Sequence, residues 1–248
     1  YPQSQGAGLI LGQSVGGYLR VGEKYSPLYG MILSDDKVPS TPYGVGINAI
    51  ERQPWEILVN SDGKRFVQED HESVDHIEHQ IGKQSAHRHW TIMDQKMLNE
   101  MPPMIYDWAN QRIAKEANNH VMFKSGSSIR ELAIKTGLHP VNLENAVNDF
   151  NSKLKNNQAD SFGRLHRPLP IEEGPFYSVR MSGWSLCSFA GLGVNENFEV
   201  IRSSGEPIKN LYAIGEVIGF GATSGNAYVN GMGVTPALTY GRLLGQRI

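Results

Sequence analysis

The chain has 248 residues, 23 Lys+Arg against 25 Asp+Glu for a formal net charge of −2, and 40% apolar residues. That length leaves room for one large or two modest domains with a substantial core, and near-neutral charge without a basic block argues against nucleic-acid binding, which needs clustered Lys/Arg. No uninterrupted apolar run reaches the roughly 18 residues of a membrane-spanning helix, and the single cysteine, Cys187, excludes an internal disulfide and a Cys-based zinc site.

The chain opens at Tyr1 inside an apparent helix pattern, which suggests an upstream segment. Residues 5–22 read as that helix, with Gly6, Ala7, Gly8, Gly12 and Gly16 leaving a small face for close approach by a neighbour. Prolines 27, 39 and 42 break the stretch from 25 to 50. Residues 55–60 read as a strand turned at Ser61-Asp62-Gly63, with 64–67 returning. A charged helix is expected over 73–85, a short strand over 90–94, and helical pieces through 118. Ser127 or Ser128 caps a helix that ends at Gly137. Pro140 opens the next, with Leu143, Val147, Phe150 and Leu154 on one stripe, before a Pro-rich loop over 160–175. Strands are expected at 177–180, 191–195 and 199–201, a buried one at 211–214, and a helix over 234–245. Three parts result: a glycine-rich start (1–53), an inserted α+β block (54–175), and a glycine-rich end (176–248) packing with the start.

The sharpest chemical feature is the passage from Leu211–Val217 through the glycines at 219, 221, 225, 231 and 233 into the last helix. A glycine-rich stretch before a helix presents backbone N–H groups and a positive dipole end. It suits a phosphate, a carboxylate or the pyrimidine edge of a reduced flavin; an ordinary strand–loop–helix crossover is the alternative. Glu216, just past the strand, is placed to accept from a ribose or ribityl hydroxyl.

These residues carry a resemblance. Asn210–Val217 (NLYAIGEV) with Gly231–Arg242 (GMGVTPALTYGR) resembles the C-terminal flavin-binding segment of the fumarate reductase/succinate dehydrogenase flavoprotein superfamily, which also contains 3-ketosteroid Δ1-dehydrogenases. Leu58–Glu69 (LVNSDGKRFVQE) is similar to the entry of its capping domain, Ser128–Leu138 and Leu143–Asn151 to its helical pair, and Gly6–Gly17 to the helix after its second glycine turn. The resemblance implies an α/β fold: an incomplete FAD-binding, Rossmann-like domain (1–53 and 176–248) with an inserted α+β capping domain (54–175). It implies FAD as cofactor, with Gly215, Glu216, Gly231, Gly233, Val234 and Thr235 as its ligands.

Two departures shape the expected function. The family's N-terminal G-x-G-x-x-G fingerprint, which would hold the ADP half of FAD, is absent; an N-terminal flavin-binding half or second chain is therefore an expected partner. The cations of the dicarboxylate reductases are missing too: Tyr228, Leu186–Cys187 and Ser73 stand at their positions. Two carboxylates bound without them would remain unpaired, at a cost of several kcal/mol. Tyr228 resembles instead the ketosteroid dehydrogenase tyrosine. With the amide of Gly231 or Gly233 it would polarise a substrate carbonyl while hydride passes to or from flavin N5. Stacking over the flavin is its other reading. A small carbonyl compound is the expected substrate; a carboxylate reductase or a non-catalytic fragment are the alternatives.

The run Asp70-His71-Glu72 with Asp75, His76 and His79 has metal-ligand spacing, but a solvated helix face is the better reading and no metal is expected. His71 is a candidate proton donor, and Arg65 with Glu69 reads as either an ion pair or a proton relay. His87-Arg88-His89 reads as a surface spot, Tyr106–Trp108 as core, Met97–Met104 as the lining of an apolar pocket, and Cys187 as an inert thiol with no covalent flavin.

Overall fold

The computed structural model describes residues 5–22, 28–36, 40, 41, 43, 52–117, 119–185, 187–226, 229 and 231–248. The chain forms two compact units, Tyr1–Ser26 with Ser185–Ile248, and Pro27–Trp184. Their helices and strands give the expected α/β class, and no helix among the described residues is long and apolar enough to cross a membrane.

The first unit begins with α1 (Ala7–Ser14) and β1 (Leu19–Arg20). The helix expected to run to residue 22 stops at Ser14, because Gly16 turns left-handed (φ +89°) and the Gly17 N–H bonds back to the Gly12 carbonyl at 2.8 Å. Its small face is used as expected: a Cβ on Gly8 would meet Val217 at 2.9 Å, and one on Gly12 would overlap Leu192.

The second unit follows without interruption: β2 (Leu28–Met31), β3 (Ile57–Val59), α2 (Val74–Gly82), β4 (Arg88–Asp94), α3 (Gln95–Glu100), α4 (Gln111–Glu116), β5 (Phe123–Gly126), α5 (Ile129–Thr136), α6 (Pro140–Lys155) and β6 (Phe176–Trp184). Its sheet runs β2-β6-β4-β3, all antiparallel, with β5 also paired to β6. Only 177–180 reads as a strand in isolation. The longer β6 exists because it pairs with β4 over Phe176–Ser182 and with β2 at Ser182 and Trp184. Local chemistry sets the helix ends: Ser73, Asp94 and Ser128 accept from the backbone N–H three residues on, and Gly137 closes α5 (φ +75°). The residues 64–67 make only a bridge, Val59 to Arg65, and not the expected return strand. Met97, Met101 and Met104 are buried among Ile92, Leu98 and Phe123. They are core, not a pocket lining: Met97 packs from helix α3, and Met101 and Met104 from the segment after it. Tyr106 is 42% exposed while Trp108 is buried, so only part of that trio packs inside.

The chain returns to the first unit through β7 (Gly191–Leu192), which pairs with β1, and the antiparallel pair β8 (Glu199–Ile201) and β9 (Pro207–Tyr212). The strand expected to be buried at 211–214 instead ends at Tyr212, which is 36% exposed. Pairing with β8 draws the strand back to Pro207, and Ala213 begins the buried turn. After a 3₁₀ turn at Gly215–Ile218 come α7 (Gly221–Ser224) and α8 (Val234–Gly245). Leu192, Val200, Ala213 and Ile218 form this unit's core, with Val217 and Tyr240 against it.

Candidate functional site

The 3₁₀ turn and α8 bound a cavity of about 480 Å³ in the first unit. Gly215, Glu216, Gly231, Gly233 and Val234 line it. Gly231 adopts a left-handed conformation (φ +86°), and a Cβ there would find its nearest neighbour, Thr235 Oγ1, 3.8 Å away. Backbone geometry rather than crowding asks for this glycine. Thr235 lies behind the lining: its N–H donates to the Gly231 carbonyl at 2.9 Å and closes the loop onto the helix. No side chain caps α8, so the amide end of a 12-residue helix opens where Gly233 and Val234 line the cavity. Ile218, Phe220 and Leu238 give it apolar walls. Glu216 is its one charged side chain among the described residues; Lys, Arg and His are absent from that lining. Donors at one end, apolar walls and one hydroxyl acceptor fit the ring and ribityl chain of a flavin.

Cys187, read only as inert, also lines this cavity. Burial and the Glu216 charge push its thiol pKa up, which keeps it protonated. Tyr228 lies outside the described residues.

His71 and Arg65 belong to the second unit. Arg65 is buried and engaged on two sides: Nε and Nη2 donate to Glu69 at 2.9 and 2.6 Å, and Nη1 and Nη2 donate to Asp160 at 2.7 and 3.0 Å. Arg164, fully buried, extends the network, donating to the carbonyls of Glu56 and His166 at 2.6 and 2.7 Å and approaching Glu69 at 3.5 Å. Asp160 and Arg164 come from the Pro-rich loop and escaped sequence reading; the signal was a charged pair four residues apart in an otherwise turn-rich stretch. Arg65 and Glu69 thus form a buried ion pair.

His71 accepts the Ser73 N–H at Nδ1 (3.0 Å) and stacks on His76 with ring centroids 4.1 Å apart. No group of three metal-ligating side chains occurs among the described residues. The surface reading of His89 is corrected. The inward face of β4 buries it completely, edge-on to Tyr29 at 5.9 Å, and burial lowers its pKa to about 3.

Comparison with known proteins places the chain among flavin enzymes. The chain is 28% identical to a vinyl phenol reductase of Lactiplantibacillus plantarum over 231 residues, covering 85% of this chain and 46% of that protein. It is 26% identical to a 3-oxosteroid 1-dehydrogenase of Mycolicibacterium smegmatis over 219 residues (77% and 37%) and 25% identical to a probable fumarate reductase of Shewanella frigidimarina over 189 residues (76% and 30%). The chain therefore spans less than half the length of these relatives. Its fold is that of a 3-ketosteroid Δ1-dehydrogenase from Sterolibacterium denitrificans, with a TM-score of 0.73 at 21% identity over 100% of this chain and 47% of that one. A model of the FAD binding domain matches residues 38–233, and the chain belongs to that family, whose cofactor is FAD.

Proposed function

We propose that the protein is an FAD-dependent oxidoreductase that moves a hydride between the flavin and a carbon next to, or conjugated with, a carbonyl. The observation that carries the reading is the first unit's cavity, with its main-chain donors, apolar walls and a lining free of cationic side chains among the described residues. Bound FAD supplies the hydride chemistry. The amides around Gly233 and Val234 donate to the ring's acceptor edge and favour negative charge there. Glu216 accepts from a ribityl hydroxyl, and Phe220 and Leu238 exclude water. Tyr228, with the amide of Gly231 or Gly233, donates to the substrate carbonyl and stabilises its enolate form.

In this proposal His71 is the candidate proton donor. Arg65, held by two carboxylates, acts as a positioning residue for the Glu69–His71 segment. Residues 54–175 serve as the capping domain, and the ADP half of FAD takes its cradle from a further flavin-binding segment, joined or separate, because these residues contain no G-x-G-x-x-G.

The test is a visible spectrum of the chain with added FAD, followed by anaerobic reduction and mixing with 2-cyclohexenone or fumarate. The proposal expects a perturbed flavin band near 450 nm that the enone reoxidises and fumarate does not. Reoxidation by fumarate alone favours the carboxylate reductase, and an unperturbed band refutes cofactor binding by this chain alone.

A further inference from the structure

A second cavity, of about 360 Å³, is built wholly from the second unit, and no residue of the proposed flavin or carbonyl site lines it. Its floor is a row across three strands. Trp90 of β4 is the register partner of Arg180 of β6, and the Arg180 N–H bonds the carbonyl of Met122, just before β5. Ile134 of α5 closes the apolar side.

Its charges are unevenly committed. Lys135 is occupied by Glu131 at 2.8 Å and the Ser125 carbonyl at 3.0 Å, outside the cavity's chemistry. Arg180 gives one Nη to the carboxylate of Asp36, which lines the cavity, is 49% exposed and shares the guanidinium with any incoming carboxylate, while the Arg180 side chain is only 16% exposed. Its buried Nε has no hydrogen-bond partner among the described residues, so the guanidinium's compensation is incomplete. Lys124 lines the same cavity, and its side chain makes no ion pair or hydrogen bond with a described residue. Burial lowers the Arg180 pKa, as expected of a guanidinium with incomplete compensation.

We propose that this cavity binds a small carboxylate carried on a flat apolar body, the carboxylate on Arg180 and Lys124 and the body against Trp90, Met122 and Ile134. A guanidinium edge matches a carboxylate's planar geometry, and an indole wall rewards a flat ring. A bare inorganic anion would use the cations but leave the apolar wall without a partner.

The experiment titrates the isotope-labelled full chain with sodium benzoate, benzamide or inorganic phosphate while following the four tryptophan indole N–H signals, with Trp90 assigned by Trp90→Phe. Benzoate should shift the Trp90 signal saturably, and benzamide should bind about tenfold more weakly, the loss of one charge-assisted contact. Arg180→Gln and Lys124→Gln should each weaken benzoate by about tenfold. The signals of Trp55, Trp108 and Trp184 report that each variant is folded, and Lys124→Gln keeps the test alive if Arg180→Gln is not. Equal affinity for benzoate and benzamide, phosphate binding as tightly as benzoate, or no movement of the Trp90 signal would each overturn the proposal.

Discussion

Replacing Arg65 with Gln tests whether the buried network of the second unit is held by charge. Arg65 makes four hydrogen bonds of 2.6 to 3.0 Å to Glu69 and Asp160, whose side chains are both 0% exposed, and its guanidinium lies 5.5 and 5.0 Å from the ring centres of Phe150 and Phe162. Gln removes the cation and strands two buried carboxylates. Removing one partner of a buried pair costs about 3–5 kcal/mol, and Arg164, 3.5 Å from Glu69, relieves part of that on one side only. Arg65→Gln should therefore destabilise the unit by about 3–5 kcal/mol, a large share of a total of roughly 5–15 kcal/mol.

Urea unfolding followed by tryptophan fluorescence reads this directly, because Trp55, Trp90, Trp108 and Trp184 all lie in the second unit. Arg65→Lys, which keeps the charge but loses the fork, should fall between variant and wild type. The pH dependence supplies a second reading. Burial pushes the Asp160 carboxyl up, yet the hydrogen bonds and charge of Arg65 outweigh it and hold the pKa below its ordinary value. The stability this contributes is present above the unfolded-state value and is lost as pH falls through the depressed folded value. Without Arg65 that loss should begin at higher pH. A cost under about 1 kcal/mol with an unchanged urea slope would refute the reasoning, since the network would then behave like an exposed ion pair.

Three further outcomes follow from other contacts. A Cβ on Gly191 would overlap the backbone of Ile218 and Gly219, so Gly191→Ala should abolish FAD perturbation by the first unit while leaving tryptophan-monitored unfolding of the second unchanged. Burial holds His89 at about 3, so its contribution rises with pH between about 3 and 6.5, whereas burial raises Glu78 to about 7, so its contribution falls between 4.5 and about 7. The two oppose each other from 4.5 to 6.5; relative to wild type, His89→Leu should give a stability that falls, and Glu78→Gln one that rises, by about 1.4 kcal/mol per pH unit there, and parallel pH curves would contradict both. Tyr228→Phe should cost about 2–4 kcal/mol in transition-state stabilisation with flavin content unchanged, and a full-rate variant would remove the carbonyl-polarising role.

What was legible in the sequence is what local chemistry decides. Ser128, Gly137 and Pro140 mark helix ends because a hydroxyl, a left-handed turn and a missing N–H act within four residues. The glycine loop before α8 is legible for the same reason. Long-range pairing is not: β6 reaches Trp184 only because Leu28–Met31 and Arg88–Asp94 lie beside it, and β9 begins at Pro207 because β8 does. His89 reads as surface beside His87 and Arg88, although β4, paired with β6, is buried on both faces and holds it edge-on to Tyr29. Asp160 and Arg164 sit in a loop whose prolines signal irregularity, and nothing local states that an arginine 95 residues earlier needs their carboxylate and their backing.

The same distinction separates cofactor from substrate. On the proposed reading the first unit's cavity would meet a flavin largely with main-chain groups at Gly231–Val234, and main-chain geometry survives wide side-chain change as long as the glycines stay. Proteins named for fumarate and for 3-oxosteroids therefore both align with this chain at about a quarter identity. Substrate choice depends on side chains, and there the physics is sharper: a dicarboxylate demands fixed cations, whereas an enone needs one good donor to its oxygen. With Glu216 the one charged side chain among the described lining residues, the proposed site would offer a dicarboxylate repulsion and a carbonyl main-chain donors. Introducing a cation there, as in Leu238→Arg, should weaken enone turnover and begin to admit fumarate if the lining sets the choice; an unchanged ratio of the two would place that choice elsewhere.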